Sequence, residues 1–504
     1  MKAHSLMIQG TGSSAGKSLL VTALCRIFAR KGLRVAPFKS QNMSLNSAVT
    51  ADGHEIGRAQ AAQAEAAGIE PSSLMNPVLL KPSGDRTSQV IVNGAVRTTL
   101  TAQEYYRYRA SLKEDVLRAY ETLAAANDLV VIEGAGSPAE INLRENDIAN
   151  MGMAEMADAP VLLVGDIDRG GVFASLYGTV KLLEPGEQRR IKGLVINKFR
   201  GDVAILEPGL RQLEYILNRP FLGVLPYWDV RIDEEDSLSE RLGRAPAADP
   251  DGSALDIAVI RLPRLSNYTD FAALETQPDA ALRYVRSRAE LGAPDWIILP
   301  GTKNTLSDMQ YLHDTGLAER IRALHAAGTP VWGICGGFQM LGRAIRDPDG
   351  VESGLGEIAG LGLLELETRF NRHKRTTRAA LRIAPGQGRG PLDGTDGMTL
   401  KGYEIHMGET SGSAAPLAVS ADGSPEGAAL GGGAVVGVYL HGLFDNLAFT
   451  RAVLNNLRAA KGLEPLPAPE SADYADFRQR EYDRLADMVE RHMNMPALEK
   501  IIGL

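Results

Sequence analysis

Residues 5–24 open with the apolar run Ser5-Leu6-Met7-Ile8-Gln9, pass through Gly10-Thr11-Gly12-Ser13-Ser14-Ala15-Gly16-Lys17-Ser18, and continue as Leu19-Leu20-Val21-Thr22-Ala23-Leu24. A strand, a loop of small residues and a helix in that order are what a phosphate-binding loop requires. Without bulky side chains at Gly10, Thr11, Gly12 and Gly16, backbone N–H groups can curl around phosphate oxygens. Lys17 then reaches the β and γ phosphates of ATP and the Ser18 hydroxyl can ligate Mg²⁺. Five residues separate Gly10 from Gly16 instead of the commoner four, with Thr11 where the first glycine would fall. The plain alternative, a flexible Gly/Ser turn, does not explain why strand, Gly-Lys-Ser and helix stand in register. Cys25 falls on the apolar side of that helix and reads as core.

From this loop the chain alternates short β-type runs with longer helical ones, the pattern of a mostly parallel sheet flanked by helices. The expected strands are 5–9, 34–38, 128–132, 160–164, 193–196 and 221–225. Open α/β sheets bind ligands at the carboxyl ends of their strands. There the chain offers Glu133 in Ile132-Glu133-Gly134-Ala135-Gly136, a carboxylate able to hold Mg²⁺ directly or through water. Asp166 could assist the metal, and Arg169 could bind phosphate or a substrate carboxylate. A helix cap or surface ion pair is the alternative for both. Asn197, in Ile196-Asn197-Lys198, resembles the strand-end Asn that reads adenine in related folds, with a turn-forming role as the alternative.

Residues 237–253 lose the periodicity and gain Pro, Gly, Asp and Ser, which marks a linker between an ATP-binding unit (1–236) and a second α/β unit (254–448). The second unit has expected strands at 256–260, 296–299, 331–334 and 435–439. Residues 370–434 read as added strands or excursions of its sheet, and 449–504 as a helical extension interrupted by Pro496. In Val331-Trp332-Gly333-Ile334-Cys335-Gly336-Gly337-Phe338-Gln339 a lone cysteine stands where a strand runs into a helix. The glycines permit a strained turn that projects the thiol and leaves the following N–H groups, Gly336 first, to hold an oxyanion. A buried structural cysteine is the ordinary reading of such a residue, and the glycine bracket argues against it. A second oxyanion donor is expected from Gly301 or its neighbour in Pro300-Gly301-Thr302. Of eight histidines, His441 in Tyr439-Leu440-His441-Gly442 ends a strand in a tight turn and is the expected base, with His406 as competitor.

Composition narrows the classes. The 504 residues are 44% hydrophobic and 23% charged, enough for two cores and without the signature of disorder. A net charge of −8 argues against a nucleic-acid or anionic-membrane binder, since those surfaces are gripped by clustered Lys and Arg. Two distant cysteines, no secretory leader and no apolar run near ~20 residues point to a cytoplasmic protein. The sequence is silent on oligomeric state.

Taken together, the elbow at Cys335, the turn at Gly301 and the Tyr-Leu-His-Gly at His441 resemble the class I glutamine amidotransferase domain of the cobyrinic and cobyric acid synthase family. The first half resembles the dethiobiotin-synthetase type of P-loop domain, which shares the five-residue spacing and the Glu-Gly-Ala-Gly of 133–136. The segment Lys39-Ser40-Gln41-Asn42-Met43-Ser44-Leu45-Asn46-Ser47 resembles the later-acting branch of the family, which makes Gln41 and Asn42 candidate substrate contacts beside Arg169. The resemblance implies that Cys335 attacks the amide of L-glutamine and releases ammonia. It also implies ATP- and Mg²⁺-dependent amidation of the b, d, e and g carboxylates of the corrinoid adenosylcobyrinic acid a,c-diamide, with cobalt present only inside the substrate. Many class I glutaminases carry Glu two residues after the histidine, whereas this chain has Leu443. A Cys-His dyad, or a third group from elsewhere such as Glu404, is therefore expected. Two rivals are the sister enzyme that makes the a,c-diamide and a P-loop ATPase switch carrying an inactive glutaminase.

Overall fold

The computed structural model describes residues 3–83, 86–228, 230–232, 252, 254–471 and 473–504. Apart from Gly252 the expected linker lies outside the described residues. The first unit is built on six parallel strands, β1 (His4–Gly10), β2 (Val35–Phe38), β3 (Leu129–Glu133), β4 (Val161–Asp166), β5 (Ile191–Phe199) and β6 (Phe221–Pro226). Their order is β6-β5-β4-β1-β3-β2. Both faces are buried. Along β1, Leu6 and Ile8 enter one apolar cluster while Met7 enters the other, the period of two that a doubly covered strand imposes. Register sets Ile8 beside Glu133 and Gly10 beside Val164, so the ends of β1, β3 and β4 share one edge.

Helix α1 (Lys17–Arg30) leaves the loop after β1 with Gly16 at φ 91°, and buries Leu20, Leu24, Cys25 and Phe28 against the sheet. Between β2 and β3 the chain makes an excursion that the α/β periodicity does not announce. Strands 41–43, 78–82, 87–92 and 95–101 form a four-stranded sheet, and 47–49 pairs with 55–57.

The second unit repeats the architecture with β7 (Leu255–Ile260), β8 (Ala280–Val285), β9 (Trp296–Leu299), β10 (Val331–Ile334), β11 (Ala428–Leu430) and β12 (Val435–Val438), in the order β8-β7-β9-β10-β12-β11. Only β11 runs antiparallel. Its core centres on Trp296 and Trp332, edge to face at 4.8 Å, with Phe444 against both. Of the added strands or excursions expected from 370–434, β11 joins this sheet, whereas residues 366–383 and 399–412 leave it. They pair with each other as a long hairpin in a separate sheet, because their alternating exposed and buried positions give them one solvated face.

The expected helical extension divides. The helix α3 (Leu447–Ala460) packs into the second core through Phe449, Val453 and Leu454. Two further helices, α4 (Ala475–His492) and α5 (Met495–Ile502), return to the first unit, where Tyr482, Leu485, Val489 and Leu498 share a cluster with Leu20, Leu24 and Phe28 of α1. Pro496 stands in the first turn of α5, where its missing N–H costs nothing. Arg26 of α1 holds Asp483 of α4 through two bonds of 2.8 and 2.9 Å.

Candidate active sites

Strand β10 delivers Cys335 into a backbone conformation of φ 53° and ψ −109°, a region that residues with a side chain rarely occupy. Tight packing maintains it. A Cβ on Gly333 would come within 2.5 Å of the Gly337 carbonyl, and one on Gly337 would strike the Leu299 carbonyl. The following helix, α2 (Gly336–Leu341), has six residues, so what it offers is the orientation of its first N–H groups. A Cβ on Gly336 would lie 3.1 Å from the Thr302 nitrogen, which brings the 301–302 turn alongside the elbow.

His441 is fully buried and close enough to Cys335 for its charge to be felt, while the thiol itself donates to the Ile405 carbonyl at 3.5 Å. Its Nδ1 lies 2.7 Å from Oδ2 of Asp270, whose other oxygen accepts the Gly442 N–H at 3.0 Å. Tyr403 stacks on the imidazole, and the Asn267 amide nitrogen stands 3.3 Å from Nε2. Burial opposes charge on the ring, but the Asp270 carboxylate and the neighbouring Cys335 outweigh it and raise the His441 pKa to about 10. The His441 ring is thus held by Asp270, a group from elsewhere in the chain, and not by Glu404. Glu404 lies 2.8 Å from Arg375 and 3.4 Å from His406. His406 lines a cavity beside Cys335 but stacks on Tyr439, with its Nδ1 3.2 Å from the Gly408 carbonyl.

At the other sheet edge Lys17 Nζ donates to the carbonyls of Gly12 at 2.9 Å and Gly136 at 3.1 Å. Glu133 is wholly buried and accepts from Ser18 at 2.8 Å, Lys39 at 2.8 Å and Gln63 at 2.6 Å. Burial alone would raise its pKa, yet Lys39 and these bonds hold it below the ordinary carboxylate value. A hydroxyl and an ionised carboxylate in contact suit Mg²⁺, which takes a few protein oxygens together with phosphates and water. Asp166 lies 3.0 Å from Lys198. Asn197 donates to the Ala15 carbonyl at 2.9 Å and packs under Gly16, so its amide braces the loop. Of the three candidate substrate contacts, Gln41 accepts from Tyr105 at 2.7 Å, Asn42 is buried against Gln60 at 2.7 Å, and Arg169 is largely exposed.

Residues 6–238 match the family model described as the CobQ/CobB/MinD/ParA nucleotide binding domain, and residues 256–449 match the CobB/CobQ-like glutamine amidotransferase domain. Among curated proteins, the chain is 53% identical to the cobyric acid synthase of Yersinia enterocolitica, over 99% of this chain and 98% of that one. It is 51% identical to that of Photorhabdus laumondii, over 97% and 96%, and 50% identical to that of Streptococcus sanguinis, over 99% of each. The chain belongs to the cobyric acid synthase family. As a member it is a glutamine-dependent, amide-forming ligase of cobalamin biosynthesis with a nucleotide-binding domain. No helix among the described residues is long and apolar enough to cross a membrane.

In this member of the cobyric acid synthase family, sequence reasoning missed Asp270, Asn267, Lys39 and Gln63. Asp270 sits 171 positions before His441 in a short turn of helix, and no local spacing links the two. Lys39 was visible only as part of the 39–47 segment, whose course joins the two sites. Lys39 holds Glu133 at one end, and at the other the Ser47 N–H donates to Asn267 Oδ1 at 2.9 Å.

Proposed function

We propose that the chain amidates four peripheral carboxylates (b, d, e and g) of adenosylcobyrinic acid a,c-diamide, using ATP and ammonia drawn from L-glutamine. The observation that carries this reading is the continuity from Glu133 through Lys39 and Ser47 to Asn267 and His441, which ties a phosphate loop to a Cys-His-Asp constellation within one chain.

Cys335 attacks the glutamine amide carbon, and the resulting oxyanion is held by the N–H of Gly336 with that of Gly301 or Thr302. With a pKa of about 10, His441 carries a proton at neutral pH and delivers it to the departing ammonia, while Asp270 fixes its ring. Water then hydrolyses the thioester. In the first unit Gly10, Thr11, Gly12, Gly16 and Lys17 cradle the ATP phosphates, and Ser18 with Glu133 would hold Mg²⁺. The metal supplies charge neutralisation on the transferring phosphoryl group. A carboxylate cannot expel oxide, so phosphorylation to an acyl phosphate must precede attack by ammonia. Cobalt enters only within the substrate. Cytoplasmic residence agrees with two unbridged cysteines.

Mass spectrometry of the a,c-diamide incubated with enzyme, ATP, Mg²⁺ and glutamine tests the reading. Four successive amide-for-hydroxyl exchanges are expected. No exchange on the a,c-diamide, with the unamidated corrinoid converted to the a,c-diamide in a parallel incubation, would instead identify the sister activity.

A further inference from the structure

The Cys335 thiol opens on a narrow cavity of about 40 Å³ whose wall also carries Lys81, Lys303, Glu352 and Lys374. Three of those five groups are lysines, an unusual density of positive charge for an enclosed space. Two are already committed. Glu55 of the first unit accepts from Lys81 at 2.6 Å and pairs with Lys374 through its second oxygen. Lys303 donates to Gln89 of the first unit at 3.2 Å, a neutral partner. Glu352 accepts the Thr305 N–H at 2.8 Å, and its charge and that of Lys303 act on each other. What remains at the cavity is one cation and one anion that act on each other, neither of them in an ion pair within 4.0 Å among the described residues.

Glutamine brings a carboxamide at one end and, at the other, a carboxylate and an ammonium on one carbon. With its amide carbon at Cys335, that zwitterionic end needs a cation and an anion side by side. We propose that Lys303 and Glu352 recognise the α-carboxylate and α-ammonium groups of glutamine, with Lys81 of the first unit closing the pocket over them. The assignment rests on reading Cys335 as the glutaminase nucleophile. It agrees with the titration of the pair: burial, with Lys374 and Lys81 adding to it, lowers Lys303 to about 7, and burial raises Glu352 to about 7. Bound opposite charges would restore both to their ionised forms.

The test measures ammonia release from L-glutamine, from 4-aminobutanamide, which lacks the α-carboxylate, and from glutaramate, which lacks the α-amino group. In the full-length Lys303→Met variant the preference for glutamine over 4-aminobutanamide should fall tenfold or more, chiefly through KM, with partial recovery in Lys303→Arg. Glu352→Gln should narrow the preference over glutaramate in the same way. Alkylation of Cys335 by chloroacetamide, followed by mass, reports that each variant keeps its pocket. If both variants lose kcat equally on all three amides with KM unmoved, or keep the wild-type preferences, the assignment is overturned. If wild-type enzyme releases no ammonia from glutamine, the glutaminase reading itself falls.

Discussion

At the scale of single residues, one buried carboxylate holds the histidine of the second unit. Asp270 has one oxygen on the His441 ring and the other on the next backbone N–H, so it fixes both the tautomer and the turn. Asp270→Asn should lower glutaminase kcat by roughly 10²–10⁴-fold, as losing the orienting acid of a triad does. It should also shift the titration of His441. With the carboxylate gone, burial dominates and the pKa falls from about 10, so the alkaline limb of the glutaminase pH profile moves to lower pH. The same raised pKa means that His441 contributes stability fully below its ordinary 6.5 and loses that contribution as the pH rises through about 10. Wild-type and Asp270→Asn unfolding midpoints should therefore converge at alkaline pH. In the first unit, Lys17→Ala should abolish ATP-dependent amidation and leave some glutamine hydrolysis; unimpaired amidation would remove the phosphate loop from the reaction. Cys335, His441, Lys17 and Glu133 could be read from the sequence because each stands in a short motif with a fixed local geometry. Asp270 could not, because its role arises only when a loop 171 residues away folds against the histidine.

The elbow and the terminal helices carry the account at the scale of elements. Gly337 has no room for a side chain beside the Leu299 carbonyl, so Gly337→Ala should displace α2. Ammonia release should be lost although Cys335 is intact, with a destabilisation of about 1–3 kcal/mol measured by denaturant unfolding. Helix α4 belongs to the first core despite following the second unit in sequence. Leu485→Ala at its buried face should cost ~2–5 kcal/mol and lower ATP-dependent amidation more than glutamine hydrolysis. All six strands of the first sheet and four of the second could be read because each is a short apolar run ended by turn residues, whereas the edge strands β8 and β11 could not. The excursion at 41–101 and the hairpin at 366–412 could not, because half-solvated strands pair by long-range register that local alternation does not specify. Likewise, an amphipathic C-terminal helix declares its apolar face but not the partner that covers it.

At the scale of the whole molecule the two units meet through Glu55, which joins Lys81 of its own unit to Lys374 of the other, and through Ser47, which touches Asn267. Burial would raise the pKa of Glu55, but the two lysines outweigh it and hold it far below the usual 4.5. Its stabilisation is therefore present above about pH 4.5 and is lost only as the pH falls well below that value. Glu55→Gln leaves two buried lysines without their anion and should cost roughly 3–5 kcal/mol. The loss should be read most clearly as an acid-unfolding transition that no longer shows the wild-type dependence below pH 4.5. Two units were legible from the two separate motif sets, whereas their interface was not, since its charges lie on elements whose placement depends on the folded sheets. The central claim is that ammonia made at Cys335 serves a carboxylate activated at the phosphate loop. Amidation by Cys335→Ser, assayed with glutamine and separately with high ammonium at raised pH, tests it most directly. Glutamine-dependent amidation should fall by at least ~10³-fold while ammonium-dependent amidation persists; loss of both in a folded variant, or survival of the glutamine-dependent reaction, would contradict it.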